Sequence, residues 1–87
     1  MKELDMKLRI ARETLTGDKQ EFEFQHEGEE YIVKNFSDSD MYVSFEETAT
    51  DDESIKISAD KAQICTCGAE VKKIYVKGIG EVEVQQL

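Results

Sequence analysis

The chain contains no proline and no serine- or glycine-rich linker. With no such break and no internal repeat, its 87 residues read as one domain, 1–87. Long apolar runs are also missing, and no stretch approaches the ~20 apolar residues of a membrane-spanning helix. The opening Met1-Lys2-Glu3-Leu4-Asp5 is charged and shows no apolar segment of the secretory type. The expectation is a protein used in a cytoplasm, without a membrane partner, with residues 1–5 flexible.

Side chains for chemistry are scarce. The chain has one histidine, His26, and two cysteines, Cys65 and Cys67. A serine or cysteine nucleophile needs an activating base, which is usually histidine. A lone His26 between Gln25 and Glu27 offers no such arrangement. With 20 acids, chance carboxylate pairs are inevitable and carry no specificity. Zinc commonly takes four ligands from two separated pairs. Cys-Thr-Cys supplies one pair on one strand face, with Cα atoms roughly 6.5–7 Å apart, near or beyond disulfide reach. Both are therefore read as free, partly buried thiols, which fits a reducing compartment. Gly78-Ile79-Gly80 lacks the third glycine and the following helix of a phosphate loop. Asp38-Ser39-Asp40 begins like a calcium loop but lacks its glycine and its closing glutamate. At most, a weak divalent site could form between it and Asp51-Asp52-Glu53. The expectation is no enzyme: no catalytic, cofactor or metal residues.

What the chain has in excess is negative charge. Its formal net charge is −9. Residues 20–53 carry twelve acids against one base, Lys34, and each flank sums to +1. Nucleic acid is an unsuitable partner, because phosphates must be met by Lys and Arg. The acidic middle is read as a solvated surface, with docking on a basic protein as the sharper alternative.

Apolar residues make up 39% of the chain, and most of them alternate with polar ones. Met6, Leu8 and Ile10 alternate with Lys7, Arg9 and Ala11, predicting a strand over about residues 6–14. Leu4, Leu8, Ala11 and Leu15 could also form a helical stripe, but the rest of the chain favours the strand. Thr16-Gly17-Asp18-Lys19 predicts a turn. Phe22 and Phe24 alternate with Glu21 and Glu23. His26-Glu27-Gly28-Glu29 predicts another turn. Tyr31–Phe36 is apolar on both faces, which predicts a central strand. Further strands are expected at 41–45, 55–57 and 62–67, with a polar loop at 46–53. Finally, Ile74-Tyr75-Val76 and Val82-Glu83-Val84 flank Gly78-Ile79-Gly80, predicting a closing hairpin.

The fold expectation is all-β: a compact sandwich or small barrel of about seven to eight short, mostly antiparallel strands. Its inward residues would be Phe22, Phe24, Val33, Val43, Phe45, Ile55, Ile57, Ile64, Ile74, Val76, Val82 and Val84. Phe45→Ala would cost about 3–5 kcal/mol.

Two stretches carry a resemblance. Val33–Phe45 followed by Glu53–Ile57, together with Ile74-Tyr75-Val76-Lys77-Gly78-Ile79-Gly80-Glu81-Val82-Glu83-Val84-Gln85, resembles small structural proteins of tailed bacteriophages and prophages. The resemblance spans about residues 31–87, and its motifs are strand and turn residues. It implies a non-enzymatic virion protein, a capsid decoration or tail-associated subunit. Its partners would be itself or capsid and tail proteins, as an oligomer or shell-bound subunit. It would reside in the host cytoplasm during assembly and then in the virion. The alternative is a small acidic cytoplasmic binding or regulatory module, such as a phage-encoded inhibitor that binds a basic protein surface.

Overall fold

A computed structural model describes residues 7–87. It is all-β and mostly antiparallel, with four strands in one sheet: β1 (Ile10–Asn35), β2 (Met41–Ser44), β3 (Ile55–Ile57) and β4 (Ala62–Gln86). The strand order is β1-β4-β2-β3. A single 3-10 turn, Asp51–Glu53, lies between β2 and β3. No helix among the described residues is long and apolar enough to cross a membrane.

The expected seven or eight strands are corrected to four, because the glycine sites bend strands and do not end them. β1 runs for 26 residues and β4 for 25. Thr16 pairs with Ile79 and Lys19 with Lys77, so Gly17 and Asp18 together oppose Gly78. One extra residue against its partner is a β-bulge, which bends and twists a strand while pairing continues. Gly17 and Gly80 adopt φ of +115° and +118° on either side of this point. The predicted closing hairpin is therefore absent. Ile74 pairs with Phe22 and Val82 with Glu13, both on β1, so residues 74–84 form one continuous strand. Gly28 and Gly68 lie in a second bend, where four residues of β1 (24–27) oppose Lys72 and Glu29 opposes 67–70.

These bends fold the long β1–β4 ribbon onto itself. Residues Tyr31–Lys34 pair with Ala62–Cys65 on one side and with Glu83–Gln86 on the other. The central position expected for this segment is thus observed. β2 continues from it along the same side of β4, with Val43 opposite Val76, and β3 adds outside β2.

Alternation puts Phe22, Phe24, Tyr31, Val33, Met41, Val43, Ile57, Ile74, Val76, Val82 and Val84 into one buried core. Phe45 and Ile55 only pack against its margin. Ile64 is the clear correction: it faces outward, and Cys65 is buried in its place. The cause is register. Cys65 pairs with Tyr31, whose ring packs 5.3 Å from Phe24, and neighbouring positions must then face out. The same logic corrects the first segment. Ala11 and Leu15 are buried, whereas Leu8 and Ile10 are exposed; Met6 lies outside the described residues. Residues 1–5, expected to be flexible, also lie outside them.

Polar groups hold the corners. At the second bend Tyr31 donates its hydroxyl proton to the Val71 carbonyl (2.6 Å) and accepts from Gln86 Nε2 (3.1 Å). Gln86 Nε2 also donates to the His26 carbonyl at 2.7 Å. A β-carbon on Gly28 would fall 2.9 Å from that same amide, so a side chain there would press on the Gln86 hydrogen bonds. At the other end Asn35 is buried. Its amide donates to the carbonyls of Ser39, Ile57 and Ser58, and its oxygen accepts from the Ser37 backbone and hydroxyl. One side chain thereby fixes the 36–40 loop and the end of β3.

Candidate association surface

The ladder registers define what the outer face presents. Ile10, Gln85, Ile32 and Ile64 stand side by side across the sheet, because Ile10 and Ile32 both pair with Gln85 and Ile32 also pairs with Ile64. Leu8 and Leu87 lie at the same end of these strands, where Leu87 N–H donates to the Glu30 carbonyl and Gln86 N–H to the Arg9 carbonyl. Leu8 is 60% exposed, Ile10 48%, Ile64 53% and Leu87 50%. Apolar clusters of this kind on a small protein mark contact surfaces more often than scattered exposed side chains do.

The next row is ionic. Glu83 lies between Arg12 and Lys34, its cross-strand partners on either side. Its carboxylate meets Arg12 Nε at 2.8 Å and Lys34 Nζ at 3.2 Å, and its side chain is almost fully covered. The Arg12 hydrogen bond, helped by Lys34, lowers the Glu83 pKa below the ordinary value in spite of burial. The row is an ionic strap, two bases on one acid, that joins the three strand segments just beside the apolar one.

The acidic 46–53 loop sits elsewhere. Lys19 Nζ donates to the carbonyls of Glu47 and Ala49 at 2.7 and 2.6 Å. Lys77, directly opposite Lys19 in the β1–β4 ladder, reaches Asp51 at 3.2 Å. The two lysines hold this loop over an open cleft of about 610 Å³ lined by Gly17, Asp18, Thr50 and Asp52. Glu46, Glu47, Asp52 and Glu53 remain exposed. The two loops that might have shared a divalent ion are directed to lysines, with Asp40 at Lys56 and Asp51 at Lys77. A second open cleft, about 460 Å³, separates the β2–β3 region from β4 and is lined by Val43, Phe45, Ile55, Glu53, Thr66 and Cys67.

Cys65 and Cys67 are free thiols, Cys65 buried and Cys67 half-buried. Burial pushes the Cys65 thiol up to about 11, which makes it a poor nucleophile or ligand at neutral pH. His26 is exposed. Among the described residues, no three His, Cys, Asp or Glu side chains are grouped as a metal ion would require.

Sequence reading missed the outer row, because it placed Ile64 inside and assigned no face to Ile10. One signal could have flagged part of it. Residues 62–69, Ala-Gln-Ile-Cys-Thr-Cys-Gly-Ala, are the longest uncharged run in a chain that is 36% charged. Comparison with known proteins adds no family: no protein-family model, no curated protein and no solved structure matches the chain.

Proposed function

We propose that this chain is a non-enzymatic structural subunit of a tailed-phage or prophage particle, working by surface association with copies of itself or with the capsid or tail. The observation that carries the association is the outer row Ile10–Gln85–Ile32–Ile64, in which Ile10 and Ile64 are exposed, with exposed Leu8 and Leu87 at the same end. The phage assignment rests on the sequence resemblance over residues 31–87. In this reading the curled sheet is a small open barrel. Its thin core serves as a rigid support for the outer face, and the acidic surface keeps the free subunit soluble in the host cytoplasm before it joins the virion.

The experiment is mass spectrometry of purified particles from the source phage or an induced prophage, with deletion of the gene in parallel. The expected result is a stoichiometric particle component. Absence from particles, with normal assembly in the deletion, rejects the virion role.

A second reading is favoured by the exposed carboxylates of Glu46, Glu47, Asp52 and Glu53, presented on a loop that Lys19 and Lys77 hold in place. Such a loop suits an acidic regulatory module docking on a basic protein. Neutralising those residues would then abolish partner binding, which would also weaken with added salt.

A further inference from the structure

We infer that a second copy of this chain joins this one through the unpaired edge of β4 at residues 62–66, so that the outer row continues across the contact. This rests on the association reading above and names its partner. The edge is the first observation. Among the described residues, this part of β4 pairs with β1 on one side and has no ladder partner on the other. Unpaired edges are normally protected by charge, proline or a bulge. The β3 edge carries Lys56, and the first part of β1 carries Arg12 and Glu13. The 62–66 segment has no such protection: it is uncharged, proline-free and regularly paired to β1 from Ala62 to Thr66.

Charge selects the occupant. The negative charge is concentrated in residues 20–53, with twelve acids against one base, and like-charged copies repel each other most strongly there. An uncharged eight-residue run is where two copies can meet without that repulsion. Two identical strands pair antiparallel about a two-fold axis, which is the symmetry of the commonest homodimers. Pairing across this edge sets the two Ile64 side chains close together and makes one sheet continuous through both copies.

Sedimentation velocity tests this on the full chain from about 1 to about 200 μM, a span that brackets micromolar dissociation constants. The expected result is a concentration-dependent species of twice the monomer mass. Ile64→Lys should weaken dimerisation by about tenfold or more, since it sets two lysines against each other at the axis. Ile79→Lys, at an exposed apolar site well away from this edge, should leave the dimer unchanged. Circular dichroism checks that both variants keep the strand signal. A monomeric wild type across the range overturns the inference, as does an Ile64→Lys variant that keeps its fold and its dimer. A monomer that is nevertheless found in particles removes self-pairing and leaves the virion role. A dimer absent from particles does the reverse.

Discussion

Glu83 accepts a hydrogen bond from Arg12 at 2.8 Å, between the very residues that face each other in the β1–β4 ladder. Lys34 approaches the same carboxylate from the far side, where β1 has folded back. One side chain thus ties together both passes of β1 and the strand between them.

That tie sets an acid dependence. The folded-state pKa of Glu83 is lowered, mainly by Arg12. Its contribution is therefore fully present above the unfolded glutamate value of about 4.3 and is lost as pH falls through the lowered folded value. Glu83→Gln should cost about 1 kcal/mol at neutral pH, a small figure because Arg12 is 70% exposed. Chemical denaturation at pH 7 and pH 3 measures this. The gap between wild-type and variant should narrow at the lower pH, and an equal gap at both would remove the carboxylate as the cause.

The two positive-φ glycines are unequal. A side chain at Gly17 meets nothing closer than 3.9 Å, so only its positive φ opposes substitution. At Gly80 the backbone is just as left-handed, and an added β-carbon would also collide with Ser37. Gly17→Ala should cost about 1–2 kcal/mol and Gly80→Ala more than about 3. Urea midpoints in the opposite order would show that the bend is not held by the Ser37 contact.

Core truncation should grade with burial. Phe24 is fully buried against Tyr31, whereas Phe45 sits at the margin, 5.9 Å from the same ring. Phe24→Ala should cost about 3–5 kcal/mol, and Phe45→Ala about 1–3. The larger figure expected for Phe45 from the alternation alone is thus revised downward. Thermal unfolding of both variants decides between the two orders.

The two thiols should react at different rates. Buried Cys65, pushed up to about 11, should resist iodoacetamide in the folded state, and half-buried Cys67 should label first. Intact-mass spectrometry over a time course counts the adducts. Rapid double labelling would mean that β4 opens near Cys65.

Neutralising Glu46, Glu47, Asp51, Asp52 and Glu53 together should leave the fold intact, since exposed charges contribute little. Lys19→Met should act on the loop more strongly, because it removes both hydrogen bonds to the Glu47 and Ala49 carbonyls. Hydrogen exchange should then quicken at the Ala49 amide, which donates to Glu46. Unchanged exchange would mean that the loop holds its own shape.

The sequence alone determined the β class, the single acidic surface loop and most of the core. Phe22, Phe24, Val33, Val43, Ile57, Ile74, Val76, Val82 and Val84 are inward because period-2 patterning is a local property of a strand. It could not distinguish a reversal from a bulge. A glycine at positive φ serves either, and at Gly17 and Gly80 the choice came from the opposing strand, which continues to pair on both sides. Tertiary register also decided which way residues 62–66 face. Tyr31 and its hydroxyl partners Val71 and Gln86 fix the inner side of that ladder, which buries Cys65 and turns Ile64 outward. The outer apolar row is therefore a product of strand pairing across 30 to 75 positions in sequence. Its residues belong to separate segments that only the folded ribbon sets side by side.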